Sequence, residues 1–259
     1  VVTGSTSGIG RAIAEALAKA GATVVVNGRT ESTVRKVVGE LKSKYDHSGV
    51  DFIGFTADVS TKVGAEHLLS CVSALGQPVH ILVNCVGLDD FKDYFDFTDY
   101  DWQKSFDANL MSGVRLSRGV LNGMLSKGEG RIIMISSDLA LRPNPSFMTH
   151  SVMKAAQLAF VKGLSELTKG SKVTVNSLVV GPTFTRGMED TLIKIAEQRG
   201  VASEVLAETF FKDVEPGSVI DRYINPEEVA AFVLFLASDQ AKSINGSAQR
   251  IDGGIVKHV

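Results

Sequence analysis

Short runs of aliphatic and β-branched residues recur along the chain at 23–26, 50–55, 79–83, 131–135 and 173–180. Within each run the apolar positions are nearly continuous rather than alternating, which a strand needs when both of its faces are covered, as in a parallel sheet. Helical periodicity fills the gaps. Ile9, Ala12, Ile13, Ala16, Leu17 and Ala20 fall on one face of a helix that Gly21 stops, and Val34, Val37, Val38 and Leu41 repeat the pattern after Thr30, a suitable N-cap. Asn225-Pro226-Glu227-Glu228 offers a cap, a first-turn proline and two acids for the helix dipole, ahead of an apolar helix through Leu236. Strand and helix alternate throughout, so the expected fold class is α/β with a doubly wound parallel sheet and right-handed crossovers. Residues 183–223 are the least periodic, interrupted by Gly187, Gly200, Pro216 and Gly217, and read as a mobile lid. Val1-Val2-Thr3-Gly4 reads as the tail of a strand, so the sequence is expected to begin inside a longer chain.

Composition narrows the partners. With 259 residues, 44% of them hydrophobic, the chain suits one large core and a single domain over 1–259. Its 27 basic and 29 acidic residues nearly cancel, which argues against nucleic acid and membrane surfaces and for small-molecule ligands. No apolar run reaches the length of a membrane span. Cys71 and Cys85 are too few and too far apart for a disulfide framework or a zinc site, which fits a reducing, cytoplasmic setting. The five histidines lack metal-ligand spacing. Asp89, Asp90, Asp93, Asp96, Asp99 and Asp101 read as a solvated loop anchored by Phe91, Phe95, Phe97 and Trp102 rather than as a cation site.

The chemistry-bearing motifs begin at Thr3-Gly4-Ser5-Thr6-Ser7-Gly8-Ile9-Gly10, a glycine-rich turn between a strand and a helix. Glycines there let backbone approach a pyrophosphate, and the helix N-terminus aims N–H donors at it. The Gly-x3-Gly-x-Gly spacing after a threonine resembles that of the short-chain dehydrogenase/reductase family, with a Rossmann fold and a nicotinamide dinucleotide cofactor. In such a fold the end of the second strand selects the cofactor: an acid there holds a ribose 2′-hydroxyl, and a guanidinium suits a 2′-phosphate. Here Gly28 takes the acidic place and Arg29-Thr30 follows, which favours NADP over NAD. Asp58-Val59 resembles the family's adenine-contacting pair. Asn84-Cys85-Val86-Gly87 stands where the family shows Asn-Asn-Ala-Gly, retaining Asn84 and Gly87.

Carbonyl reduction needs a hydride donor, a hydrogen bond that polarises the oxygen, and an acid. The family draws these from Ser, Tyr and Lys, assisted by an upstream Asn, and Asn109, Ser137, His150 and Lys154 stand at matching positions. The resemblance implies that Ser137 polarises the oxygen, that Lys154 holds the nicotinamide ribose and lowers the proton donor's pKa, and that Asn109 anchors a water relay. A lysine sharing a helix face with Leu158 and Val161 also needs a partner on its own account. His150 departs from the pattern: it lies one turn before Lys154 on the same face, but imidazole is shorter than phenol and is a better base than acid at neutral pH. Three readings stay open: an oxidoreductase acting on a carbonyl or secondary alcohol through His150 or a water beside it, a dinucleotide-binding regulatory protein with little redox activity, and a tyrosine replaced by histidine. Val180-Gly181-Pro182-Thr183, with Thr185, resembles the family's nicotinamide segment, and Ile251-Asp252-Gly253-Gly254 its last strand and glycine pair. The resemblance covers the whole chain. Relatives pair through helices here spanning about 102–126 and 151–168, so a homodimer or homotetramer is expected.

Overall fold

The computed structural model describes residues 1–46, 49–185 and 215–258, together with 188–189, 192–193, 196, 200, 202 and 211–212. Much of the 183–223 lid segment, including Gly187, lies outside the described residues. Among the described residues six strands are formed: β1 (Val24–Gly28), β2 (Phe52–Thr56), β3 (Ile81–Asn84), β4 (Glu129–Ser137), β5 (Lys172–Val180) and β6 (Ala248–Ile251). The helices among the described residues are α1 (Gly8–Lys19), α2 (Glu31–Lys44), α3 (Lys62–Ser73), α4 (Asp99–Ser105), α5 (Ser112–Lys127), α6 (Met148–Glu166) and α7 (Pro226–Ala237).

Every strand pair is parallel: β1 with β2, and β3-β4-β5-β6 in that order. The Val1–Thr3 segment joins the two groups. Val2 bridges Val26 on one side and Val83 on the other, with the Val2 N–H donating to Val25 O at 3.1 Å and the Thr3 N–H to Val83 O at 3.0 Å. The continuous apolar strands are explained by two cores on opposite faces. Val24, Val26, Ile133, Ile135, Leu178 and Val180 pack with α1 and α7, while Val25, Ile132, Met134, Val173 and Val175 pack with α3, α5 and α6. Successive side chains point to opposite faces, so each face of the sheet receives its own apolar set.

Most elements begin within a residue or two of the sequence pattern. The helix expected near Ser151 starts three residues earlier, at Met148. Thr30 stands at the N-cap of α2 with extended backbone, but its side chain makes no capping bond. At α7, Glu228 Oε2 accepts from the Asn225 N–H at 2.9 Å and Pro226 fills the first turn, as the sequence suggests. The acidic loop is more structured than expected: Thr98 and Asp101 form a reciprocal capping box on α4, and Asp101 also pairs with Lys92 at 2.7 Å. Where the lid segment is described its ends are pinned together, the Phe184 N–H donating to Ile224 O at 2.8 Å and the Ile224 N–H to Pro182 O at 2.9 Å. Among the described residues no helix is long and apolar enough to cross a membrane.

Ser5 ties the glycine turn to the sheet. Its hydroxyl donates to Val2 O at 2.7 Å and accepts from the Asn27 N–H at 3.0 Å, fully buried. Removing it strands a buried amide, so Ser5→Ala should lose about 1–3 kcal/mol, seen as a lower midpoint in thermal or urea denaturation.

Candidate active site and cofactor cleft

The glycine turn is shaped by close approach. Gly4 and Gly8 have φ of +62° and +52°, a region that side chains disfavour. A Cβ on Gly10 would stand 2.5 Å from Gly4 O, so α1 can lie against the turn only with glycine there. Thr3 Oγ1 accepts from the Cys85 N–H at 3.0 Å and the Val86 N–H at 3.4 Å, coupling the turn to the end of β3. The N-cap of α1, Ser7, is exposed with no side-chain capping bond, and the first turn holds no acid, so the first amides remain free for an anion. Ile9 packs partly into the core. The residues present therefore fit a dinucleotide pyrophosphate. Ser5 is buried with its hydroxyl committed inside the fold, so its side chain is not available to a ligand.

At the end of β1, a Cβ on Gly28 would meet Thr6 Cγ2 at 2.6 Å. Arg29 and Thr30 follow, exposed, and Arg29 makes no ion pair among the described residues. Beyond β2, Asp58 Oδ1 accepts from the Ser60 N–H and Oγ at 3.1 and 2.7 Å, and Val59 is buried. Asn84 is buried as well, its Nδ2 donating to Ser117 Oγ at 3.3 Å, so it braces β3 against α5. At the ends of β5 and β6, a Cβ on Gly181 would lie 2.9 Å from Asp252 backbone. Thr183 Oγ1 donates back to Gly181 O at 2.9 Å, and Thr185 Oγ1 accepts from the Met188 N–H at 3.4 Å, near the position a Gly8 side chain would occupy.

The four residues matched to the catalytic pattern lie on three elements. Lys154 is buried on α6 and its Nζ donates to Ile135 O at 2.8 Å, while Ser136 Oγ donates to Lys154 O at 3.1 Å. Burial pushes the ammonium below the ordinary lysine range, against the pull of the Asp89 charge. A Cβ on Gly87 would come within 3.5 Å of Nζ and 3.3 Å of Asn109 Oδ1, so glycine keeps this approach open. Cys85 lies close by, its thiol pushed up to about 12 by burial.

Asn109 sits in a π-turn, Phe106–Met111, that interrupts the helix between α4 and α5. The wider turn releases the Asn109 carbonyl, which accepts from Gln157 Nε2 of α6. A water relay anchored on that carbonyl would have to compete with Gln157. The Asn109 side chain instead clamps backbone: Oδ1 accepts from the Leu88 N–H at 2.9 Å, and Nδ2 donates to Leu88 O at 3.0 Å.

His150 is buried on α6, and its Nδ1 lies 3.0 Å from Leu88 O and 2.8 Å from Asp89 Oδ1. Nε2 has no partner among the described residues. Sequence reasoning placed Asp89 in a solvated loop; only the Leu88 clamp, a tertiary contact, brings it to the imidazole. Burial raises the Asp89 carboxyl, but the hydrogen bond and charge of His150 and the charge of Lys154 outweigh it, and the group sits below its ordinary range. Ser137 ends β4, its Oγ donating to Asp138 Oδ1 at 3.1 Å and accepting from the Leu139 N–H at 3.2 Å. Arg142, also missed from sequence, bridges Asp138 and Glu215, the latter at 2.8 Å. It thereby ties the turn after β4 to the far end of the lid segment.

Glycine turn, strand-end cleft and buried lysine together define a dinucleotide-binding oxidoreductase class, and comparison with known proteins agrees. The family model described as enoyl-(acyl carrier protein) reductase matches residues 4–256. The chain is 42% identical to the uncharacterized oxidoreductase YvrD of Bacillus subtilis, over 99% of this chain and 95% of that protein. It is 31% identical to acetoacetyl-CoA reductase of Allochromatium vinosum, covering 100% and 98%. L-sorbose reductase of Gluconobacter frateurii, solved with NADPH and L-sorbose, superposes with a TM-score of 0.93 at 31% identity, covering 100% and 96%. The chain belongs to the short-chain dehydrogenase/reductase family. It is an NAD(P)-dependent oxidoreductase acting on a small-molecule carbonyl or alcohol, and nothing in these likenesses supports the regulatory alternative.

Burial holds Asp138 and Glu215 above the ordinary carboxylate range, with Arg142 opposing the rise in both. The folded state therefore binds these protons more tightly than the unfolded chain, and stability falls as pH rises from about 4 through the raised folded values. Without the guanidinium the rise is larger. Arg142→Leu should cost about 1–3 kcal/mol, with a greater loss at pH 8 than at pH 5 in thermal melts run at both.

Proposed function

We propose that this protein is an NADP-preferring carbonyl reductase or alcohol dehydrogenase in which His150 Nε2 is the proton-transfer atom. The observation that carries this reading is the imidazole itself, buried one turn before buried Lys154, held at Nδ1 by Leu88 O and unpartnered at Nε2 among the described residues. A dihydronicotinamide, when bound, supplies the hydride. Gly4, Gly8 and Gly10 with the Ser7 and Ile9 amides receive the pyrophosphate, Arg29 and Thr30 the 2′-phosphate, and Asp58 and Val59 border the adenine. Gly87, Gly181, Pro182, Thr183 and Thr185 line the nicotinamide end, with Asn84 bracing it.

The Ser137 hydroxyl turns from Asp138 to donate to the substrate oxygen, which polarises the carbonyl. Nε2–H then gives its proton to that oxygen in reduction, and neutral Nε2 takes one in oxidation. Lys154 stays close to its Ile135 acceptor and orients the ribose, and Asn109 holds the backbone on which the imidazole rests. Residues 1–259 act as one unit with 183–223 as the substrate lid, and α4, α5 and α6 provide the faces for pairing into a dimer or tetramer.

Arg29 is exposed and lacks an ion pair among the described residues, which supports a role toward a 2′-phosphate and leads to a direct test. NADPH should bind more tightly than NADH, with the preference lost in Arg29→Glu; fluorescence titration of both cofactors measures it, and equal affinities in the parent would refute the assignment.

The proton-transfer role has its own test in steady-state rates across pH. His150→Phe should abolish carbonyl reduction by a factor of roughly 10²–10⁴ without changing cofactor affinity. His150→Tyr should retain activity with a pH profile different from the parent's. If His150→Phe is as active as the parent, the proton travels by another route.

A further inference from the structure

We propose that Asp89 is the positioning residue for His150, holding the Nδ1–H together with Leu88 O and setting a carboxylate charge against the ring that gives up a proton in reduction. This rests on the role assigned to His150 above.

Two acceptors meet one nitrogen. Asp89 Oδ1 at 2.8 Å and Leu88 O at 3.0 Å both face Nδ1, so Nδ1 must carry a hydrogen in the neutral and the charged ring alike. Nε2 is then the atom that changes protonation. The carbonyl alone would select this tautomer; the carboxylate adds a full negative charge. Its position is not left to a free loop, because Asn109 holds Leu88 through both N–H and C=O, and Asn109 Nδ2 is itself anchored on Ser105 Oγ at 3.0 Å.

The surrounding charges leave this task to Asp89. Lys154, on the next turn of α6, opposes protonation of the ring. The Cys85 thiol at the end of β3 is neutral, with its pKa near 12. Asp90 faces Lys104 at 3.8 Å, and Asp138, on the turn after β4 that packs against α6, is paired with Arg142. Among the described residues Asp89 is therefore the anion directed at the imidazole. The Asp89 side chain as a whole is exposed even though its carboxyl end is partly desolvated against His150, so solvent screens part of its influence.

In the reductive step the carbonyl carbon gains hydride as the dihydronicotinamide is oxidised, and the carbonyl π pair moves to oxygen. The oxygen takes the Nε2 proton, leaving a neutral ring with Nδ1–H against Asp89, and solvent returns a proton to Nε2.

The test uses the full chain with ¹⁵N-labelled histidine, the His150 signals being assigned by their absence in His150→Gln. In the parent, the neutral ring should show the Nδ1–H tautomer. In Asp89→Asn the pH midpoint for protonation of the ring should move down, by about threefold to tenfold in proton affinity after solvent screening. NADPH-dependent carbonyl reduction should lose its activity at a correspondingly lower pH, kcat falling while KM for NADPH stays constant, with Asp89→Glu restoring part of the loss. An unmoved midpoint in Asp89→Asn overturns the proposal whether or not the enzyme turns over. A moved midpoint in a parent that reduces no carbonyl upholds the Asp89–His150 coupling and refutes instead the catalytic role of His150.

Discussion

The buried ammonium of Lys154 is the constraint around which the cleft is organised. A cation removed from water is costly unless it is given acceptors, and the fold supplies one from the edge of its central sheet, Ile135 O at 2.8 Å. That bond sets α6 against β4, and Ser136 Oγ on the Lys154 carbonyl repeats the link one residue along. Gly87, just past the end of β3, lies against the same nitrogen. The ends of β3 and β4 and the face of α6 are thereby tied to one nitrogen.

Histidine in place of a phenol changes what that chamber must provide. A shorter side chain cannot project as far from α6, and its ring has two nitrogens whose roles have to be separated. The loop after β3 performs the separation: Leu88 and Asp89 occupy one nitrogen and leave the other toward the cleft. Asn109 contributes through its amide, not only its carbonyl, because the π-turn that exposes the carbonyl presents it to Gln157. The same four sequence positions thus support an arrangement in which backbone of the 88–89 loop is a structural member.

The fold was largely legible because its strands are buried on both faces and its helices on one, and both conditions leave a periodic trace. Gly10 and Lys154 were legible for a related reason: a glycine at a strand-to-helix turn and a lysine on an apolar stripe each contradict their local pattern. Asp89 carried no such trace. It sits among aspartates that do serve local ends, such as Asp93 and Asp101 capping short helices, and only a contact to a helix sixty residues away distinguishes it. Ser5 in the glycine turn is no more legible, since nothing local shows that both its side-chain bonds run inward. The link from Arg142 to Glu215 is likewise visible only once the chain has folded back.

Val2, which together with Val1 and Thr3 joins the two halves of the sheet, has a consequence for how the cleft is built. It lies mid-sheet between Val26 and Val83, so one flank is closed by a near neighbour and the other by a segment about 80 residues downstream. Contacts at such separation are slow to form because a long loop must close before they can contribute. The glycine turn begins two residues later and leans on the end of β3 through Thr3. The geometry of the cofactor cradle therefore depends on the long-range docking of β3 and not on the glycine-rich segment alone.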